Sequence, residues 1–517
     1  MRITNKVIQN NSIYNINSNK VLQDKLNTQM ATTKKITRPS DDPVIAIRAL
    51  RLRSNVAQVT QFHEKNAEDA DSWLTITADS LKTVSDVLTD LVYNANQASN
   101  KNKTTQDLQI FMQQMESLAD EFYSTGNVDF AGRYVFTGYR TNTAMTFSAE
   151  DVKKDNNYTI TEQLTVSAID SVNYTNMAGL ENLTKENMSD YASVTEQAVT
   201  NTDIIRIRLS YDNIDTNSNV TITDSKGEPL KKADNTELSA ITNVKLADDP
   251  YKKIAQANKN KTEAVIFVPE TGELLMSQAS YDSYFKDLDA KEELRVTYDK
   301  SSWETGDLRP EHYFACWTDK ADSNKAVAYN KSYLTDSPEL QHIEYDVGYN
   351  QTIRVNTTAS EVFSPDVRRI MDDLKNAMES LTSIDGVVTT LKAALSEAVT
   401  DADKTRIQNQ LDAANKAYEH VRENVHSLFE STMTGMQNIL NDTSVAITDN
   451  GTRGQRLDLI SSRLLAQKTT YKDLQSSNED ADIAEVAIQL TSMELAYQSA
   501  LMATGKILQN SLMNFIS

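Results

Sequence analysis

The side chains that could do chemistry are few and scattered. The five histidines are His63, His312, His342, His420 and His426, and none belongs to an HExxH pattern. Only His420 and His426 lie close together, and their six-residue spacing places them on different faces of a helix. The chain has no phosphate-binding glycine loop and no G-x-S-x-G motif. The sequence therefore predicts no catalytic, metal or cofactor site and favours a protein that is not an enzyme.

Two further groups have a simple structural explanation. Asp41 and Asp42 are adjacent carboxylates that directly precede Pro43. An aspartate before a helix accepts hydrogen bonds from free N–H groups, and proline fits the first helical position because its missing N–H costs nothing there. We interpret Asp41, Asp42 and Pro43 as the capped start of a helical stem. Cys316, the single cysteine, lies beside Trp317 on an apparent strand and is interpreted as a core thiol, with a reactive surface thiol as the alternative.

Composition restricts the classes of partner. The 517 residues carry 52 Lys plus Arg against 73 Asp plus Glu, a formal net charge of −21. That charge argues against nucleic acid and anionic membranes as partners. No stretch approaches the roughly 18 consecutive apolar residues of a membrane span. The N-terminal segment lacks the apolar core of a secretory signal, so we expect no cleaved signal peptide.

The longest regular pattern is an apolar stripe between residues 43 and 99. Its members mostly alternate steps of four and three residues: Ile45, Ala49, Leu52, Val56, Val59, Ala70, Trp73, Leu81, Val84, Leu88, Leu91, Ala95 and Ala98. This spacing predicts one long helix whose apolar seam packs against other helices. His63, Asn66 and Thr77 dilute the seam, so we expect the helix to need neighbours for stability.

Helical periodicity also occupies the C-terminal third of the chain. It resumes at Ser364 and continues to Gly386, and the polar segment 441–454 predicts an interruption between two later helices. A last amphipathic helix is expected after a cap at Ser477 or Asn478, with Glu479 and Asp480 in its first turn. Together with the N-terminal helices, these segments predict an elongated helical stem built from both ends of the chain.

The middle of the chain has a different period. Between about residues 141 and 350 the apolar residues mostly alternate, as in Ile205, Ile207 and Leu209 around Arg206 and Arg208, which is typical of strands. Segment 132–139 places aromatic and β-branched residues between glycines and predicts a strand or hairpin. The predicted fold class is therefore mainly α with an inserted β-rich region. We expect an assembly helix at 1–42, half of the stem at 43–140, the insert at 141–350, the second half of the stem at 351–474 and a second assembly helix at 475–517.

Several short motifs resemble the bacterial flagellin-like family, and within it the junction proteins between hook and filament. The motifs are RPSDDP at 38–43 followed by Ala46, Leu50 and Asn66, GRYVFTG at 132–138, and DADIAE at 480–485 leading to QNSL at 509–512. The resemblance covers roughly residues 1–140 and 350–517. The insert departs from the shorter members of the family and carries no recognisable motif of its own.

The resemblance implies a structural subunit of the bacterial flagellum that adapts hook to filament in a ring of identical subunits. Its implied partners are hook-associated protein 1, flagellin, further copies of itself and an export chaperone. Its implied location is outside the cell, at the hook–filament junction, after export by the flagellar type III apparatus. The alternative is a flagellin of the filament itself. A third hypothesis makes the insert an adhesin or enzyme displayed on the stem.

The terminal helices have apolar faces that are narrow and interrupted. Such faces bury too little to form a stable pair alone, but many copies packed side by side could bury them. We therefore predict subunit-interface residues that are mobile in the free monomer: Ile3, Val7, Tyr14, Ile483, Val486, Leu490, Met493, Tyr497, Leu501, Leu508 and Leu512. The alternative is that these positions form an ordinary helix pair within one chain.

Overall fold

A computed structural model describes residues 5–154, 156–232, 236–238, 241–318, 327–335 and 340–516, except for the side chains of residues 5 and 507–516. Four helices come first: α1 (Asn5–Thr32), α2 (Pro43–Gln61), α3 (Glu68–Ala98) and α4 (Thr105–Thr125). A mixed region follows, and the C-terminal helices are α7 (Ala359–Val362), α8 (Asp366–Glu397), α9 (Asp401–Glu479) and α10 (Ile483–Ile516). The predicted class, mainly α with an inserted β-rich region, is confirmed.

The region between α4 and α7 is built from short strands and two α-helices. Its hairpin pairs β1 (Asp129–Phe130) with β2 (Arg133–Tyr134), and its helices are α5 (Pro250–Asn260) and α6 (Gln278–Tyr284). The other strands are β3 (Tyr158–Thr165), β4 (Ile169–Asn176), β5 (Thr200–Arg208), β6 (Thr221–Asp224), β7 (Thr242–Asn243), β8 (Val265–Val268), β9 (Glu273–Met276), β10 (Glu293–Lys300), β11 (Ala315–Thr318), β12 (Val327–Tyr329), β13 (Glu344–Gly348) and β14 (Gln351–Arg354).

Two five-stranded sheets organise these strands. The first has the order β12-β11-β3-β10-β6 and is antiparallel throughout. The second has the order β4-β5-β9-β8-β7, in which only β7 and β8 run parallel. The strands β13 and β14 form a separate pair. The order of strands could not be read from the alternating pattern, because that pattern contains no pairing information.

The chain divides into two compact units. The first comprises Met1–Asp71, Tyr345–Ile353 and Gln455–Ser517, and the second comprises Ser72–Glu344 and Arg354–Gly454. The first therefore contains the terminal helices, and the second contains both five-stranded sheets. The division of the chain into five segments, made from its sequence, stays a prediction.

The helix predicted over residues 43–99 runs from Pro43 to Ala98, with a π-helical turn at Phe62–Ala67 between α2 and α3. This turn contains His63 and Asn66, two of the residues that dilute the apolar seam. Two other expected helix limits are wrong. The helix α8 continues beyond Gly386, and α9 includes the polar segment 441–454 without interruption. The apolar residues of the 43–99 stripe that belong to the second unit are buried, including Leu81, Leu88 and Leu91.

The start of the last helix also differs from the expectation. Ser477 and Asn478 do not cap it, because α9 extends to Glu479. The helix α10 begins at Ile483, where Oδ1 of Asp482 accepts hydrogen bonds from the backbone N–H groups of Ala484 at 2.9 Å and Glu485 at 3.2 Å. Asp482 therefore satisfies the free N–H groups that a helix start leaves.

An arginine that the alternating pattern placed opposite the apolar residues is buried. Arg206 on β5 is 4% exposed, and its Nε donates to Oδ1 of Asp170 at 2.9 Å while Nη2 donates to Oδ2 of Asp373 at 2.7 Å. It also pairs with Glu273 on β9. Burial alone would raise the pKa of Asp373, but the charges of Arg206 and Arg208 outweigh that effect and lower it. This cluster joins the second sheet to α8 within one unit.

A second buried ionisable group lies in the first sheet. Glu162 on β3 is fully buried and accepts hydrogen bonds from the backbone N–H of Ser210 at 3.0 Å, from its hydroxyl at 2.9 Å and from the hydroxyl of Tyr298. Burial disfavours the ionised carboxylate and raises the pKa of Glu162 to about 7. The group is therefore protonated in the folded protein at mildly acidic pH.

This raised pKa predicts a pH dependence of stability. Below the ordinary glutamate pKa both folded and unfolded chains hold the proton, and between that value and about 7 only the folded chain holds it. The free energy of unfolding should therefore fall as pH rises through this window, by roughly 3 kcal/mol, and level off above it. Urea titrations at several pH values measure the free energy of unfolding of the unmodified chain and of Glu162→Gln. The difference between the two proteins isolates Glu162, because the other titrating groups contribute equally to both. Parallel pH profiles of the two proteins would contradict the assignment.

Candidate assembly surface

The N-terminal helix α1 presents two apolar faces. One face is shielded by α10, which packs against α1, and its buried or half-buried members are Ile8, Ser12, Ile16, Asn19, Gln23 and Leu26. Polar residues interrupt this face, so it buries little apolar surface. Val7, Tyr14 and Val21 lie on the opposite side of the helix at seven-residue spacing and stay exposed, at 48%, 72% and 71%. We call these three residues the α1 stripe.

The C-terminal helix α10 has the same arrangement. Its shielded face consists of Val486, Leu490, Met493, Tyr497, Ala500 and Thr504, which are buried or half-buried at alternating steps of four and three. Ile488, Leu495 and Met502 lie on the opposite side at seven-residue spacing and are about two-thirds exposed. We call these three residues the α10 stripe. A single helix pair therefore leaves a regular apolar row on each of its helices.

A hydrogen-bonded junction around Glu479, the last residue of α9, joins α2 and the segment after α1 to the segment before α10. The side chain of Glu479 is 3% exposed, and Arg53 on α2 donates to both of its oxygens, from Nε at 2.8 Å and from Nη2 at 2.6 Å. The backbone N–H of Lys35 donates to the Glu479 carbonyl at 2.7 Å, and that of Ala481 donates to the Thr33 carbonyl at 2.9 Å. Lys34 forms an ion pair with Asp480. We call this group of contacts the Glu479 junction.

The start of α2 lies close to this junction in sequence. Oδ1 of Asp42 accepts hydrogen bonds from the backbone N–H groups of Val44 at 2.9 Å and Ile45 at 3.1 Å, with Pro43 as the first helical residue. Oδ2 of Asp41 accepts from the backbone N–H of Arg38 at 2.9 Å, and this bond is the main cause of its lowered pKa. Both carboxylates therefore bind nearby backbone N–H groups, and the two are not arranged as an acid–base pair.

The predicted interface residues fall into three groups. Val7, Tyr14, Ile483 and Leu501 are exposed, while Val486, Leu490, Met493 and Tyr497 lie on the face of α10 that packs against α1. Ile3 and the side chains of Leu508 and Leu512 lie outside the described residues. A subunit contact by any of these residues stays a prediction.

Reasoning from the sequence missed the α10 stripe and the Glu479 junction. The seven-residue spacing of Ile488, Leu495 and Met502 is visible in the sequence and could have identified the stripe. Nothing in the sequence pairs Arg53 with Glu479, because the two residues are 426 positions apart.

The described residues contain little that could do chemistry. No group of three or more His, Cys, Asp or Glu side chains among them could hold a metal ion. Cys316 is fully buried, and burial raises the pKa of its thiol. This placement favours the core thiol over a reactive surface thiol. No helix in the described part of the chain is long and apolar enough to span a membrane.

Comparison with known proteins shows what the N-terminal part of the chain is similar to. Residues 3–141 match the family described as the bacterial flagellin N-terminal helical region. Flagellar hook-associated protein 3 of Escherichia coli K12 is 29% identical over 158 residues, which cover 30% of this chain and 48% of that protein. Its counterpart from Salmonella typhimurium is 28% identical over 151 residues, which cover 28% and 45%. The chain thus spans about half the length of the curated relatives that it matches.

The solved structures that resemble this chain have lower sequence identity to it than these relatives. A flagellar hook-associated protein of Vibrio parahaemolyticus is 12% identical with a TM-score of 0.33, over 85% of this chain and 100% of that one. The flagellar junction protein of Legionella pneumophila is 9% identical with a TM-score of 0.26, over 84% and 100%. The resemblance to the flagellin-like family is confirmed by the match of residues 3–141. The curated relatives named above carry the name flagellar hook-associated protein 3.

The Glu479 junction can be tested by removing Arg53, the cation that hydrogen-bonds both oxygens of Glu479, whereas Nζ of Lys34 lies 3.7 Å from Oε2. Replacing Arg53 with Ala leaves the Glu479 carboxylate buried without its two-point partner, so we expect the free energy of unfolding to fall by roughly 2–3 kcal/mol. Urea titration followed by circular dichroism measures the change. Arg51→Ala, which alters an exposed arginine of the same helix, is the matched control and should change stability by less than about 0.5 kcal/mol. Equal losses in the two variants would contradict a specific role for the junction.

Proposed function

We propose that this chain is a structural, non-enzymatic subunit of the bacterial flagellum that forms the junction ring between hook and flagellin filament. The names of the relatives support the class of protein. The observation that carries the mechanism is the pair of exposed stripes, because an isolated helix pair has no use for regular apolar rows at the surface. Contiguous exposed apolar surface is typical of interaction sites.

The two faces of each terminal helix have separate roles in this proposal. The shielded faces hold α1 and α10 together, and their polar members Ser12, Asn19 and Gln23 keep that pair weak. The α1 and α10 stripes then pack against neighbouring subunits in the ring. Each large apolar side chain that becomes buried contributes roughly 1.5–3 kcal/mol, so a ring closes with stability that the monomer lacks.

The partners follow from the same proposal. The ring would contact hook-associated protein 1 on the hook side and flagellin on the filament side, and copies of this chain would be its lateral neighbours. An export chaperone would hold the terminal helices before export by the flagellar type III apparatus. The site of action would be outside the cell, and the net charge of −21 supports partners other than nucleic acid or anionic membrane.

Seeded assembly tests the proposal. Purified protein is offered to hook ends that carry hook-associated protein 1, and separately to flagellin filament fragments, with growth followed by electron microscopy. We expect addition on the hook to stop after a short ring. Unlimited growth from filament seeds would identify a filament flagellin and overturn the junction role, and addition to neither seed would overturn both.

Variants of the α10 stripe test the mechanism in the same assay. Leu495→Ser and Met502→Ser remove exposed apolar side chains, so monomer stability should change by less than about 0.5 kcal/mol. Ring formation should fall about tenfold or more, because each change removes an apolar contact between subunits. Val399→Ser is the matched control, since Val399 is also exposed but lies between α8 and α9, outside both stripes. Normal assembly by both stripe variants would exclude the α10 stripe from the interface.

A further inference from the structure

The start of α2, in the first unit, carries an exposed apolar patch that belongs to neither stripe. Val44, Ile47 and Leu50 follow each other at three-residue spacing and are 58%, 54% and 65% exposed. Arg48 and Arg51 are also exposed and lie beside them, because residues three or four positions apart are neighbours on a helix surface. We call these five residues the α2 face. Contiguous exposed apolar surface of this kind is typical of interaction sites.

The α2 face is positively charged. The helix α2 contains three arginines and no acidic residue. Arg53 is engaged by the buried carboxylate of Glu479, whereas Arg48 and Arg51 are exposed. Interfaces pair surfaces of opposite charge, so an apolar patch bordered by cations fits a partner surface that is both apolar and acidic.

The first part of the α10 stripe has that composition. Ile488 and Leu495 lie about 10.5 Å apart along the helix axis, and the apolar residues of the α2 face span about 9 Å. The exposed carboxylates of Glu485 and Glu494 lie on either side of the stripe, and no Lys or Arg occurs between residues 473 and 505. The two surfaces are therefore similar in length and opposite in charge.

Other pairings of the exposed surfaces match less well. Two α10 stripes facing each other would place glutamates against glutamates, and such a symmetric contact closes a dimer and not a ring. The α1 stripe has Asn10 and Asn17 between its apolar residues and Asp24 beside Lys25 at its end. It therefore offers less contiguous apolar surface and charges of both signs.

We propose that the α2 face of one copy of this chain packs against the α10 stripe of the next copy, at Ile488 and Leu495. This inference rests on the proposed function and supplies its ring with a contact between two different surfaces. The apolar residues pack together, and the two arginines of the α2 face lie opposite Glu485 and Glu494. Because each copy carries both surfaces, the contact repeats in one direction around a ring. Met502 and the α1 stripe remain for a different neighbour.

Chemical cross-linking in the seeded ring tests which surfaces meet. Ser54→Cys lies one turn beyond the α2 face, Ser492→Cys lies beside the α10 stripe, and both changes nearly preserve side-chain size. The native Cys316 is fully buried, so the unmodified chain is the control without cross-links. With a short bismaleimide, we expect covalent dimers from rings that mix the two variants and none from rings of either variant alone.

A matched variant on α1 provides the comparison. Ser18→Cys places the same exposed thiol beside the α1 stripe, and its mixture with Ser492→Cys should give no dimer. A ring that yields dimers only with Ser18→Cys, or with neither variant, overturns this inference and leaves the proposed function intact. Failure of the unmodified chain to form a ring on the hook overturns both.

Charge reversal tests the electrostatic part of the contact. Arg51→Glu should reduce ring formation about tenfold or more at low salt, because it places a carboxylate opposite the glutamates of α10. Lys392→Glu is the matched control, since Lys392 is an exposed cation of α8 in the second unit, and it should change ring formation by less than about twofold. Circular dichroism checks that both variants are folded. Normal assembly by Arg51→Glu, or an equal loss in Lys392→Glu, overturns the inference.

Discussion

The pairing of the two chain ends is the constraint on which the first unit depends. The helices α1 and α10 share a face that is apolar at only some positions, and Ser12, Asn19 and Gln23 weaken it. The Glu479 junction compensates with directional bonds: Arg53 holds a buried carboxylate at two points, and backbone hydrogen bonds join Lys35 and Ala481 to their partners. Because hydrogen bonds require a fixed geometry, this junction sets the register of the helix pair more strictly than the weak apolar face could.

The second unit buries ionisable side chains inside its β-rich region. Arg206 is surrounded by carboxylates from β4, β9 and α8, and Glu162 is held by Ser210 and Tyr298. A buried charge such as that of Arg206 is costly to bury, and removing one of its partners is destabilising.

Several predictions from the sequence agree with the structure, and the disagreements have physical causes. Asp42 and Pro43 form the start of α2, because capping depends on residues that are adjacent in the chain. The interruption expected at 441–454 is absent, because helix neighbours can support a polar segment that would be unstable alone. The alternating pattern placed Arg206 away from the apolar side, but three carboxylates from distant segments make its burial tolerable.

The sequence alone determined the helical ends, the β-rich middle, the capped start of α2 and the absence of catalytic motifs, since these depend on local spacing and composition. Motifs at 38–43, 132–138 and 480–485 were also sufficient for the family resemblance. Only the tertiary structure decided which face of α1 and α10 is shielded, which residues form the two stripes, and how Arg53 meets Glu479. The reason is that a heptad pattern specifies which residues share a helix face, whereas the choice of partner for that face depends on contacts between segments hundreds of residues apart.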